Sequence, residues 1–148
     1  IEINKPFQEL TFDDQIHLIR EKLNQTENIK VIAVSYGAYL FLNALIDKKY
    51  NIDSVLLLSP VLGQVSLKTG GRIPINLSNF KRALQNNQIQ LPSNCKIVYG
   101  SEDMICTTGV VNYFNSFFKQ LDINLVPNEG HDLPHELVQK EVNNFLIN

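Results

Sequence analysis

Two patterns of hydrophobic positions alternate along the chain: short continuous apolar runs, and apolar residues at helical spacing. Continuous runs are typical of strands that are covered on both faces of a parallel sheet. They predict strands at 30–34, 54–58, 95–99 and 123–126. Helical spacing predicts helices at 12–24, 36–47, 77–88 and 110–121, and a final helix that Pro134 opens. The alternation predicts an α/β fold, a parallel sheet with helices on both faces.

The domain organisation follows from length and from one irregular stretch. A chain of 148 residues is expected to form a single domain, here spanning 1–148. Residues 59–94 make a longer excursion between two predicted strands, and Pro60, Gly63 and Gly70 interrupt its first part. The excursion is either a short cap over a site or a crossover helix with a loose loop. Both interpretations stay open at this point.

The first predicted strand ends at Ser35, which has Ala33 two residues before it and Gly37 two residues after it. A sharp turn from strand to helix brings the side chains at these two positions against the backbone, so only Gly or Ala fits there. Such a turn displays the serine hydroxyl as a nucleophile. The alternative is that Ser35 is an ordinary helix N-cap, a position that serine favours.

The pattern Ala33-x-Ser35-x-Gly37 resembles the nucleophile elbow of the α/β-hydrolase family, with Ala in the first position. The order of the chain strengthens the resemblance, because that family presents serine, acid and histidine in this sequence. Residues 96–103 resemble the strand-Gly-x-x-Asp segment that carries the acid, and residues 126–131 resemble the last strand and the histidine loop. The resemblance runs from about Thr11 onward and implies that the catalytic residues are Ser35, Asp103 and His131.

The resemblance implies a serine hydrolase of carboxylesterase or thioesterase type, acting on a small-molecule acyl ester through an acyl-enzyme intermediate. The backbone N–H of Tyr36 is then the first oxyanion-hole donor. No cofactor and no metal are required. Two alternatives stay open: a non-catalytic hydrolase-like binding domain, and an acyltransferase on the same scaffold.

The fold is expected to be N-terminally short relative to the family. Several strands normally precede the nucleophile strand, and one of their loops supplies a second oxyanion donor. Here residues 1–10 alone precede the first predicted helix. Residues 31–34 are apolar throughout, which suits an interior strand better than an exposed edge. We therefore expect a missing upstream segment, or a partner chain such as a second copy in a homo-oligomer, to cover this strand.

Composition and charge limit the class of partner and the location. A net charge of −2 favours neither nucleic acid nor an anionic membrane as a partner. Apolar runs are too short for a membrane span, and the start of the sequence lacks the apolar core of a signal peptide. The cytoplasm is the expected location.

The remaining candidate residues are two cysteines, one acid and two histidines. Cys95 and Cys106 lie on either side of a strand, too far apart for a disulfide, and are expected to be free thiols. Cys106 is either a buried structural residue or part of the site wall. Glu102 is the alternative acid, while His17 and His135 lack a catalytic context.

Overall fold

The computed structural model describes residues 5–63 and 77–147. Its strands are β1 (Ile29–Val34), β2 (Ile52–Leu58), β3 (Asn94–Gly100) and β4 (Asp122–Val126). Its helices are α1 (Lys5–Gln8), α2 (Phe12–Asn24), α3 (Tyr36–Ala44), α4 (Leu77–Gln85), α5 (Thr108–Asn115) and α6 (His135–Ile147).

The described strands form one parallel sheet in the order β1-β2-β3-β4. In register, Val34 lies beside Leu58 and Leu58 lies beside Val98. The carboxyl ends of all four strands therefore meet at one edge of the sheet, where open α/β folds bind ligands. The predicted fold class, a parallel α/β sheet, is confirmed.

Helices cover both faces of the sheet. On one face, inward-pointing side chains such as Val55, Leu57 and Ile97 join a core cluster that includes residues of α2, α3, α4 and α5. On the other face, Leu56, Leu58 and Val98 pack under α6, against Val138, Val142 and Phe145. Because neighbouring positions in the second half of β2 are buried on opposite faces, residues 55–58 are all apolar.

Most differences from the predicted boundaries are at helix ends. The helix predicted to reach 47 ends at Ala44, and the one predicted to reach 88 ends at Gln85. In each case a residue in the left-handed region follows, Asp47 with φ 56° and Asn87 with φ 54°, and such residues end helices. The helix predicted to extend to 121 is α5, which stops at Asn115.

Residues 11–14 have the T-x-x-D form that predicts a helix start, and α2 begins at this point. Thr11 occupies the N-cap position, and its side-chain oxygen accepts a hydrogen bond from the Asp14 N–H. This satisfies one of the N–H groups that the first turn leaves without an intrahelical acceptor. Helix α1 was not predicted.

Strand β1 lies at the edge of the sheet rather than in its interior, since β2 is its one neighbour among the described residues. Its side chains alternate in exposure, and those of Ile32 and Val34 are 36% and 53% exposed. An apolar groove of about 430 Å³ runs along all six β1 residues and is walled by Phe7, Ile19 and Leu23. The predicted covering segment or partner remains a prediction.

The excursion at 59–94 is only partly described, because residues 64–76 lie outside the described residues. Its later part is α4, which buries Phe80, Ala83 and Leu84 in the core. This part packs as a crossover helix. The choice between cap and loop for residues 64–76 stays open, as does the prediction of a single domain.

None of the helices described is long and apolar enough to span a membrane.

A buried acid anchors α6 to the sheet. Glu141 is 7% exposed, and its carboxylate accepts hydrogen bonds from Lys96 Nζ at 2.8 Å and from Asn124 Nδ2 at 3.2 Å. Lys96 belongs to β3 and Asn124 to β4, so one carboxylate ties α6 to two strands. Since α6 begins four residues after His131, this contact also holds the downstream end of the histidine loop.

We expect Glu141→Ala to lower the free energy of unfolding by about 1 to 3 kcal/mol, because Lys96 and Asn124 lose a charged acceptor. Urea denaturation followed by circular dichroism measures the change. Gln139→Ala, an exposed substitution on the same helix, is the control and should change the value by less than about 0.5 kcal/mol. Equal effects of the two substitutions would show that the buried carboxylate does not anchor α6.

Candidate active site

Ser35 sits on the turn between β1 and α3 in an unusual backbone conformation, with φ 49° and ψ −120°. A non-glycine residue adopts such angles only where the surrounding structure enforces them. Ser35 occupies the N-cap position of α3, but its hydroxyl makes no capping hydrogen bond. The Oγ lies instead 2.8 Å from Nε2 of His131. The N-cap alternative therefore does not describe what this side chain does.

His131 connects Ser35 to Asp103. Its Nδ1 lies 2.9 Å from Oδ2 of Asp103. An ionised carboxylate only accepts hydrogen bonds, so Nδ1 must carry the proton; in the neutral ring, Nε2 is then free to accept from the Ser35 hydroxyl. The three residues follow β1, β3 and β4, and the parallel sheet brings them together in one hydrogen-bonded chain. Their catalytic role remains a prediction.

Asp103 is held by two further donors that the sequence analysis missed. Its Oδ1 accepts hydrogen bonds from the backbone N–H groups of Ile105 at 2.7 Å and Cys106 at 2.8 Å. Its side chain is fully buried, so these bonds replace the water it loses and also orient the other oxygen toward His131. An aspartate bonding the N–H groups two and three residues ahead is a common turn arrangement, and this was the available signal.

The pKa of Asp103 is lowered and that of His131 is raised, so the two shifts run in opposite directions. Burial by itself raises the pKa of Asp103, but hydrogen bonds from His131, Cys106 and Ile105 outweigh it, and the net pKa is lowered from 3.8. The hydrogen bond to Asp103 raises the pKa of His131 above 6.5, against the lowering effect of burial. Asp103 is therefore ionised at neutral pH. Its charge favours the imidazolium form of His131, the form that any histidine acting as a general base reaches.

The histidine loop rests directly on the end of β3. The Glu102 N–H donates to the Glu129 carbonyl at 2.8 Å, and the Asn128 N–H donates to Ser101 Oγ at 2.8 Å. Gly100 leaves the space for this approach. A Cβ at Gly100 would overlap the Glu129 carbonyl group and lie 2.5 Å from the Gly130 oxygen.

The other candidates stay outside this hydrogen-bonded chain. Glu102, the alternative acid, is exposed, and its backbone N–H is the group that binds the histidine loop. Cys95 and Cys106 are both buried free thiols, as predicted. Burial, and then the Asp103 charge, raise the pKa of the Cys106 thiol, which disfavours a thiolate nucleophile. His17 on α2 lies 3.5 Å from Glu21, and His135 is an exposed residue at the start of α6.

Tyr36 is the first residue of α3, so its backbone N–H has no acceptor within the helix, and none of the described residues accepts from it. The N–H therefore points out of the helix start beside Ser35, where the positive end of the helix dipole favours an anion. The Tyr36 ring is 36% exposed and stacks on the buried Tyr39 ring, with centroids 6.0 Å apart. Its role as an oxyanion donor remains a prediction.

Solved structures with the same fold include several hydrolases. A monoacylglycerol lipase from Paleococcus ferrophilus has a TM-score of 0.70 at 15% identity, covering 93% of this chain and 76% of its own. The α/β-hydrolase MGS-MChE2, from a sediment metagenome of the Mar Chica lagoon in Morocco, has a TM-score of 0.61 at 14% identity, covering 95% and 74%. An esterase from Pyrococcus furiosus has a TM-score of 0.61 at 19% identity, covering 90% and 61%.

These likenesses show that the chain has the α/β-hydrolase fold, in agreement with the resemblance found in the sequence. The chain spans about three-quarters or less of the three proteins, which therefore contain residues without a counterpart here. No protein-family model matches the sequence. No curated protein matches it either.

The pKa of His131 should depend on Asp103. We expect Asp103→Asn to lower the His131 pKa, because an amide keeps the shape but removes the charge and the strong acceptor that raise it. Titration of the ring C–H signals by NMR measures the change. In the Ser35→Ala control the Asp103 contact is intact and the pKa should stay above 6.5. A His131 pKa that does not fall in Asp103→Asn would contradict this account of the pair.

The close approach at Gly100 gives a second test. We expect Gly100→Ala to lower the free energy of unfolding by about 1 to 3 kcal/mol, because the added methyl group displaces the histidine loop. The matched control is Gly130→Ala in the same loop, where nothing lies within 4 Å of an added Cβ. Thermal denaturation measures stability, and the His131 ring signals report the loop position. A Gly100→Ala chain as stable as the control would disprove the tight contact.

Proposed function

We propose that this chain is a serine hydrolase that cleaves a small carboxylic ester or thioester through an acyl-enzyme intermediate. One observation carries the proposal: the continuous chain of contacts from Ser35 Oγ to His131 Nε2, at 2.8 Å, and from His131 Nδ1 to Asp103 Oδ2, at 2.9 Å. Lipase and esterase are the names that two proteins of the same fold carry, and they favour esters as the substrate class.

In the first half of the proposed reaction, the Ser35 oxygen attacks the acyl carbon while His131 Nε2 takes the hydroxyl proton. The Asp103 carboxylate stabilises the imidazolium that forms and holds the ring in the tautomer that accepts at Nε2. The carbonyl oxygen becomes an anion beside the start of α3, where the Tyr36 N–H donates to it.

This tetrahedral intermediate then collapses, and the bond between the acyl carbon and the leaving group breaks. The imidazolium gives its proton to the leaving alcohol or thiol, and the acyl group stays on the Ser35 oxygen. A water molecule then replaces the leaving group, and its oxygen attacks the acyl carbon while His131 takes one of its protons. When this second tetrahedral intermediate collapses, the bond between the acyl carbon and the Ser35 oxygen breaks, His131 returns the proton to that oxygen, and the carboxylic acid leaves. The His131 side chain is 23% exposed, so solvent water can approach the ring from the open side of the site.

The proposed location of the enzyme is the cytoplasm. Its two cysteines are buried free thiols, which are typical of proteins in a reducing compartment.

A fluorophosphonate probe tests the nucleophile directly, because it forms a stable bond with an activated serine oxygen. Intact-mass analysis should show one adduct on the unmodified chain and none on Ser35→Ala. His131→Ala should slow labelling at least a hundredfold, since the hydroxyl loses its base. Ser116→Ala is the matched control: its hydroxyl donates to a backbone carbonyl on α5, and the variant should be labelled at the normal rate.

A chain that binds no probe would overturn the hydrolase proposal and favour the non-catalytic binding domain. A labelled chain should next be given p-nitrophenyl esters and acyl thioesters, with and without an added alcohol acceptor. Release of free acid supports the hydrolase, whereas acyl transfer to the alcohol in preference to water would identify an acyltransferase. The measured rates of ester and thioester cleavage then give the substrate class.

A further inference from the structure

The backbone carbonyl of Ser35 accepts two hydrogen bonds. One comes from the Ala38 N–H at 3.1 Å and belongs to the first turn of α3. The other comes from the Val61 N–H, also at 3.1 Å, and crosses from the segment that follows β2. This second bond connects the nucleophile turn to a part of the chain 26 residues away that contains no member of the Ser35, Asp103 and His131 set.

Residues 59–62, here called the β2 bracket, are held firmly in place. Ser59 turns the chain at the end of β2 with a left-handed φ of 41°, and its N–H donates to the Val98 carbonyl of β3 at 2.8 Å. Ser59, Val61 and Leu62 are only 2%, 6% and 3% exposed. The β2 bracket is therefore tied to β3 and buried in the core, so the Val61 N–H has little freedom to leave the Ser35 carbonyl.

The planar peptide unit between Ser35 and Tyr36 links the Val61 hydrogen bond to the orientation of the Tyr36 N–H. The Ser35 carbonyl and the Tyr36 N–H belong to the same planar group, and in a trans peptide they point in opposite directions. None of the described peptide bonds is cis. Two donors that hold the Ser35 oxygen therefore also set the direction of the Tyr36 N–H. A hydrogen bond to a carbonyl polarises its amide as well, which strengthens the N–H as a donor.

We propose that Val61 is a positioning residue whose backbone N–H aims and polarises the Tyr36 N–H toward the developing oxyanion. The proposal rests on the proposed function, since it takes the Tyr36 N–H as the oxyanion donor. Its physical basis is preorganisation: a donor that is already oriented needs no rearrangement when charge develops in the transition state. The β2 bracket thus contributes to the proposed reaction through its hydrogen bond to the turn at Ser35, without touching the substrate.

Replacing the Val61 amide by an ester tests this. An α-hydroxy acid with the valine side chain, inserted at position 61 by nonsense suppression, removes the N–H and keeps the shape. We expect kcat for a p-nitrophenyl ester to fall about tenfold with KM changed less than about twofold, a smaller loss than the about 10² to 10³ caused by removing an oxyanion donor itself. The Tyr36 amide proton should also move upfield in the spectrum of tyrosine-labelled protein, because its amide is less polarised.

The control is the same replacement at Val111, whose N–H donates to the Thr107 carbonyl at 3.0 Å. It removes a similar buried bond, so it should lower stability by a similar amount without moving the Tyr36 signal or kcat. An unmoved Tyr36 signal in the position 61 variant, or a kcat equal to that of the control, would overturn the proposal. If the unmodified chain cleaves no ester, the proposed function fails, and the Tyr36 signal still decides whether Val61 polarises this amide.

Discussion

The site depends on the parallel hydrogen-bond ladder, which continues one residue past the ends of β1, β2 and β3. The Ser35 N–H donates to the Leu58 carbonyl at 3.0 Å. In the same way the Ser59 N–H donates to the Val98 carbonyl at 2.8 Å, and the Ser101 N–H donates to the Val126 carbonyl at 2.8 Å. Each bond fixes the position along the sheet at which one strand ends and its loop begins. Because all strands run in the same direction, these bonds align the Ser35 turn, the β2 bracket and the loop that carries Asp103 along one edge.

The same ladder makes an unfavourable backbone conformation tolerable. Ser35 and Ser59 both have positive φ angles, which cost free energy for a residue with a side chain. Each is fixed on the upstream side by a ladder bond, and the chain that follows becomes buried, at Ala38 after Ser35 and at Pro60 after Ser59. The benefit of this strain is geometric. It projects the Ser35 hydroxyl out of the sheet toward His131, whereas an ordinary N-cap conformation would turn it toward the helix.

Asp103 and His131 differ in their exposure to solvent. Asp103 is fully buried and receives three hydrogen bonds, which keeps a carboxylate ionised where water cannot reach it. His131, the next residue in the chain of contacts, is partly exposed. The permanent charge thus stays inside, and His131, the group that gains and loses a proton in the proposed reaction, is partly open to solvent. The missing side chain of Gly100 lets the histidine loop lie directly against the end of β3, which keeps this arrangement compact.

Most of what the sequence by itself determined is local, and the parallel α/β sheet followed from the alternation of the local patterns. The apolar runs predicted the strands, Thr11 predicted a helix start, and the small residues around Ser35 predicted a sharp turn, because each depends on neighbouring side chains. Tertiary structure alone decided that β1 is an edge strand of the described sheet, that Gly100 faces the Glu129 carbonyl, and that the Val61 N–H donates to the Ser35 carbonyl. Every residue except proline carries the same N–H, so such donors leave no mark in a sequence. Their partners are chosen by strand register and loop packing, which are properties of the folded chain.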